Sequence, residues 1–169
     1  DMEGLIDMSK YGVSQELFEA LVAAGYTDLT ADEITDLAKY GVDPEYLVAL
    51  HKAGFYKLSV EELTDLRKYG FSPELAAELA RQGYEQPGVD ALVDLAKYGV
   101  DPEYVEAMNA AGLGRLSLEA MAELGKYGVS PEYVREIREA GLANVTIEEL
   151  IDLSKHGVDA DYIRAMKPD

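Results

Sequence analysis

Six acidic side chains recur at one register of this 169-residue chain: Asp7, Asp36, Asp65, Asp94, Glu123 and Asp152, each three residues before a lysine. Carboxylate oxygens are the natural ligands of hard cations. A calcium ion, however, needs roughly six to eight oxygens converging on one point. A column that advances by one helix spacing, on the order of 10 Å, spreads its oxygens instead. Two structural roles stand beside cation binding. Each acid can pair with its own lysine (Asp36 with Lys39) or with a neighbouring repeat, solvated and weak. It can also accept a buried bond from an adjacent tyrosine.

The tyrosines form two further columns, Tyr11, Tyr40, Tyr69, Tyr98 and Tyr127, and Tyr46, Tyr104, Tyr133 and Tyr162. Such spacing suits rings in a core with the hydroxyl at its rim. A ladder for stacking bases needs flanking cations. The net charge of −18 argues against a phosphate-backbone binder, so no nucleic-acid partner is expected. Acidity suits solubility or a basic partner. His51 and His156 stand alone, and His156 fills a position that is tyrosine elsewhere, a packing substitution. With no cysteine there is no disulfide, thiolate nucleophile or Cys-based zinc site. No nucleophile–base set is visible. The expectation is therefore a protein that is not an enzyme and has no cofactor, metal site or catalytic residue. No apolar run approaches the ~20 residues that span a bilayer, and no leader pattern opens the chain, so no membrane association is expected.

These columns are positioned by a repeat. The stretch Lys39-Tyr40-Gly41-Val42-Asp43-Pro44-Glu45-Tyr46 has near-copies starting at Lys10, Lys68, Lys97, Lys126 and Lys155, always 29 residues apart. It ends one helix and starts the next. Gly41 suits the positive φ of a Schellman ending, which makes Val42 the C″ residue, placed to touch Leu37. Asp43 is an N-cap, and Pro44 sits at N1, where its missing N–H costs nothing. Val42 and Leu47 form a hydrophobic staple, and Glu45 complements the helix dipole.

Each unit thus holds a first helix, A (as in Ala31–Tyr40), and a second, B (as in Pro44–Ala53). Helix A starts with a capping box at Thr30/Glu33, Ser59/Glu62 and Thr146/Glu149. The apolar positions Val60, Leu63, Leu66 and Tyr69 in A, and Tyr46, Leu47, Leu50 and Ala53 in B, share one face of their helices. A ten-residue helix is marginal alone, so neighbouring hairpins must complete each other's core. The fold class is all-α, an α-solenoid of six 29-residue helix-turn-helix repeats with twelve short helices. It forms a single repeat domain, 1–169, with units near 1–29, 30–58, 59–87, 88–116, 117–145 and 146–169. One position near the end of A is small in Ser9, Ala38, Ala96, Gly125 and Ser154, with Arg67 the exception. A close helix approach is expected there.

Two places depart from the pattern. Glu85-Gln86-Pro87-Gly88 lacks both the apolar N′ residue and the hydroxyl N-cap, which makes it the weakest link. The end helices keep apolar residues, Met2, Leu5, Ile6 and Met8 at one end and Tyr162, Ile163 and Met166 at the other. Terminal repeats usually carry polar outer faces, so weak end-to-end self-association, or an array cut from a longer one, is expected.

Function is sought where the repeats differ. On helix B, three positions vary while the frame recurs. Val48, His51, Lys52, Ala77, Arg81, Glu106, Asn109, Arg135 and Arg138 are the candidate partner-reading face, since solenoids offer extended surfaces to a protein or peptide. Unconstrained surface drift explains the same variation.

The unit G-V-x-P-E-Y-V-x-x-[LM]-x-x-A-G, best seen in Val100–Gly112 and Val129–Gly141, resembles tandem helical-hairpin repeats of bacterial proteins. Some of these lie beyond the membrane domain of beta-lactam-sensor-type membrane zinc peptidases. The resemblance covers nearly the whole chain and implies an all-helical solenoid without catalytic residues; the peptidase His-Glu-x-x-His is absent. The regular step, the start at an N-cap residue and the lack of Cys and Trp equally suit an engineered or excised array with no activity of its own. The sequence therefore supports a non-enzymatic scaffold, an interaction or spacer module, with that engineered array as the alternative.

Overall fold

The computed structural model describes residues 6, 8–85 and 87–166, and among them the regular structure is entirely helical. Eleven helices follow in order: α1 (Gln15–Ala23), α2 (Ala31–Lys39), α3 (Pro44–Lys52), α4 (Val60–Lys68), α5 (Pro73–Arg81), α6 (Val89–Lys97), α7 (Pro102–Ala110), α8 (Leu118–Lys126), α9 (Pro131–Glu139), α10 (Ile147–Lys155) and α11 (Ala160–Met166). Residues 8–10 are also helical. Met2, Leu5 and Asp7 lie outside the described residues, as does Gln86.

Local chemistry sets the boundaries. The side chains of Asp43, Asp101 and Ser130 each accept the N–H of the third residue of the following helix, and proline occupies the first turn in all three cases. The capping boxes at Thr30, Ser59 and Thr146 are all formed in both directions. Their reciprocal bonds hold the Glu33 carboxyl below its usual range, chiefly through the Thr30 N–H. Gly88 caps α6 with no side-chain bond. At the other ends, Gly41 takes φ +79. Its N–H donates to Ala38 O at 2.9 Å, and that of Val42 donates to Leu37 O at 2.9 Å, completing the Schellman pattern.

The chain forms two compact units, Asp1–Ala77 and Glu78–Asp169, and the boundary falls within α5. Each unit packs like on like. In the first, α1 lies on α3 and α2 on α4; in the second, α6 lies on α8, α8 on α10, α7 on α9 and α9 on α11. The core consists of the repeated frame. Leu37 and Leu66 in one unit, and Leu95, Leu124, Val105 and Val134 in the other, are fully buried. Removing each from water contributes on the order of 1.5–3 kcal/mol, offset by chain entropy.

The position of small residues in helix A is the point of closest approach. A Cβ on Gly125 would stand 2.9 Å from Tyr98 O and 3.1 Å from Val100 Cγ2. One repeat on, Ser154 Oγ donates to Tyr127 O at 3.0 Å. Arg67 breaks the size rule and keeps the role. Its Nε donates to Gly41 O at 2.8 Å, its guanidinium lies 4.7 Å from the Tyr46 ring centre, and Asp43 is 3.6 Å away. All three residues meet the C-terminal end of the preceding A helix, where carbonyls have no partner within the helix.

The B-helix tyrosines serve the same need. Their hydroxyls donate one repeat ahead, Tyr46 to Phe71 O at 3.4 Å, Tyr104 to Val129 O at 2.8 Å and Tyr133 to Val158 O at 2.6 Å. These hydroxyls therefore go to main-chain carbonyls and not to the acidic column. A carbonyl just beyond a Schellman turn is free and fixed in place, whereas the column acids lie nearer solvent. Burial pushes the Tyr46 and Tyr104 hydroxyls well above the ordinary phenol range; for Tyr46 the Arg67 charge works against that rise.

Candidate functional site

Helix B exposes its variable positions because its frame residues, three and four apart, fill the opposite face. In the first unit, Val48 is 51% exposed between the buried Leu47 and Leu50. With Pro44, Glu45, Ala49 and Lys52 it lines a shallow, mainly apolar groove of about 360 Å³ along α3. His51 is half-buried, and its ring tilts against that of Tyr56 at 5.2 Å. Tyr56 is itself exposed and precedes Lys57, whose backbone takes φ +59. That left-handed value is uncommon for a residue with a side chain. Ala77 is exposed on α5.

In the second unit the fold engages most of the variable residues. Arg81 bonds to Glu78 and lies 3.7 Å from Glu106 of the next repeat. Glu78 is a buried carboxylate that also accepts from Gln82 Nε2 at 2.8 Å. Asn109 Nδ2 donates to Gln82 Oε1, and Asn109 Oδ1 accepts from the Tyr84 hydroxyl, both at 3.4 Å. Tyr84 donates more closely to Leu116 O at 2.6 Å, beneath the Arg115 guanidinium at 4.6 Å. Arg138 reaches to 3.4 Å from where a Cβ on Gly112 would stand. Arg135 is exposed. Thus Arg81, Glu106 and Asn109 pair or bond between repeats and Arg138 lies against Gly112 of the preceding one, while Val48, Lys52, Ala77 and Arg135 present their side chains to solvent.

Sequence reasoning passed over Glu78. Its register is alanine at Ala20, Ala49 and Ala107 and glutamate again at the exposed Glu136, so residue type alone does not mark Glu78 as buried. Of the acidic column, Asp36, Asp94, Glu123 and Asp152 are exposed and Asp65 is half-buried. Asp36 sits 3.9 Å from Lys39 and Asp152 3.8 Å from Lys155, both solvated. Among the described residues, no group of three or more His, Cys, Asp or Glu side chains is placed to hold a metal ion. None of their helices is long and apolar enough to cross a membrane.

A groove of about 640 Å³ lies at the C-terminal end of the second unit, lined by Leu142, Val145, Leu153 and Val158 together with Glu149, Asp152 and His156. Leu153 and Val158 are half-buried there, although their counterparts Leu124 and Val129 are covered completely. No protein-family model and no curated protein matches this chain.

Proposed function

We propose that the chain is a non-enzymatic helical-repeat module that binds a protein or peptide through exposed positions of its B helices, or spaces other parts apart. One observation carries this reading: on inner repeats, side chains that differ between repeats stand at the surface beside buried frame residues, as with Val48 between Leu47 and Leu50 and Arg135 beside Val134. A groove with an apolar floor and Lys52 at its edge suits an amphipathic segment carrying acidic flanks. The test is affinity capture from a bacterial lysate, with the native chain run beside a variant carrying Val48→Glu and Arg135→Glu. A partner retained by the native chain and lost from the variant supports the module. Substrate turnover in a broad hydrolase screen would overturn it.

A second reading is favoured by the uniformity of α1 to α10, each nine residues long. Such regularity suits an engineered array with no activity of its own. Equal retention by the native and variant chains would select that reading.

A further inference from the structure

Exposed apolar side chains in this molecule gather at its first and last repeats. Of nine large exposed hydrophobics among the described residues, six belong there: Ile6, Tyr11, Phe18, Val22, Tyr162 and Met166. Tyr11 and Val22 stand at registers that inner repeats also leave open, as at Tyr40 and Ala80, whereas Phe18, Tyr162 and Met166 stand at registers of Leu47, Tyr46 and Ile137, which are buried. Phe18 occupies the position of Leu47, Val105 and Val134, yet it is 50% exposed where Leu47 is 3%. Tyr162 occupies the position of Tyr46 and is 56% exposed against 4%. Ile163, in contrast, is buried, so it belongs to the covered side of α11 and not to the end face.

We infer that these two end faces bind each other, the C-terminal face of one molecule receiving the N-terminal face of a second copy. The internal contact between the fifth and sixth repeats shows what each face lacks. There Tyr133 donates to Val158 O, Ser154 donates to Tyr127 O, and Lys155 Nζ lies 4.1 Å from the Tyr127 ring centre. Advancing that contact by one repeat gives Tyr162 donating to Val13 O of the second copy, and Ser9 of the second copy donating to His156 O. It also sets Lys10 of the second copy over the His156 ring. Phe18 of the second copy then takes the place that Ile163 takes in the internal contact. Leu153 and Val158 become covered as Leu124 and Val129 are. Every residue needed on either side is present at its register. The occupant of the C-terminal groove is therefore a further repeat of this same kind. The contact is heterologous, so each addition leaves a free face at both ends. The charge of −18 on each copy opposes approach, and screening relieves it.

Sedimentation velocity on the intact chain tests this, from about 10 μM to 1 mM, the range of a weak complex. The expected result is a mass that rises with concentration, and rises further with added salt. Phe18→Glu and Tyr162→Glu should each weaken association roughly thirtyfold or more, as for a central interface residue. Circular dichroism checks that both keep their helicity. Tyr162→Phe, which loses only the hydroxyl, gives a milder version of the same loss. Mixed in equal amounts, the two Glu variants have one intact face of each kind and should form a dimer and nothing larger. A native chain that stays monomeric throughout overturns the inference. So does association that survives in either Glu variant alone, which would mean like faces pairing, and so does a mixture that grows beyond two.

Discussion

Gly125→Ala sets two known effects against each other. Replacing glycine by alanine inside a helix ordinarily stabilises by about 1 kcal/mol. Here the added Cβ would sit 2.9 Å from Tyr98 O and 3.1 Å from Val100 Cγ2. The first contact is with main chain at the end of α6, which cannot swing aside as a long side chain can. Relief requires α6 and α8 to part by a few tenths of an ångström over a core that buries Leu95 and Leu124 completely. Overpacking of this kind costs about 1–3 kcal/mol, which outweighs the propensity gain at the middle of that range. The expected net loss is about 1 kcal/mol, a fall in Tm of roughly 2–4 °C for a chain of this size. Amide exchange should place the loss in α6 and α8 and leave α2 and α4 unchanged. Ala38→Gly, at the same register in the other unit, should also destabilise by about 1 kcal/mol, through propensity alone. A rise in Tm for Gly125→Ala would show that the helices part without cost, and the reasoning would fail.

Three further outcomes are expected. Tyr46 is buried and Tyr104 half-buried in the fold, and desolvation pushes the ionisation of both up, whereas an unfolded tyrosine ionises near pH ~10. The folded chain therefore binds more protons above that pH, and stability must fall as pH rises past it. Urea melts from pH 8 to 11 should show the fall, and Tyr46→Phe with Tyr104→Phe should flatten it; an unchanged slope would count against the assignment. Helix α6, which starts at Gly88 without a side-chain cap, should exchange its first amides before α4, whose Ser59 capping box is complete; equal protection would contradict this. Asp36→Asn, Asp65→Asn and Asp94→Asn together should shift stability by no more than about 1 kcal/mol, as solvated charges do. Millimolar calcium should leave Tm unmoved in both forms, and a calcium-dependent rise lost in the triple variant would reverse that reading.

Features that depend on neighbours within a few residues could be read directly from the amino acids. A capping box closes between Thr30 and Glu33, and a Schellman turn closes between Leu37 and Val42. Such signals carry their own geometry, so helix ends were legible residue by residue. The fixed period carried one longer-range fact as well. If every unit has the same apolar face, like helices must pack on like, and the small register at Gly125 marks where they come closest. Where long side chains go depends instead on how the repeats stack. Arg67 crosses 26 positions to Gly41 O, Tyr84 crosses 32 to Leu116 O, and Arg81 reaches both the buried Glu78 and Glu106. From sequence, Arg81, Glu106 and Asn109 read as part of a partner-reading or drifting surface, and the B-helix tyrosines as core rings with the hydroxyl at the rim. Their partners are backbone carbonyls and polar groups brought near by stacking, and a helical wheel of one element cannot show what the next repeat places beside it. Ile163 and Tyr162 make the same point from adjacent positions: one is buried and the other exposed. The difference lies in which side of α11 has a neighbouring helix.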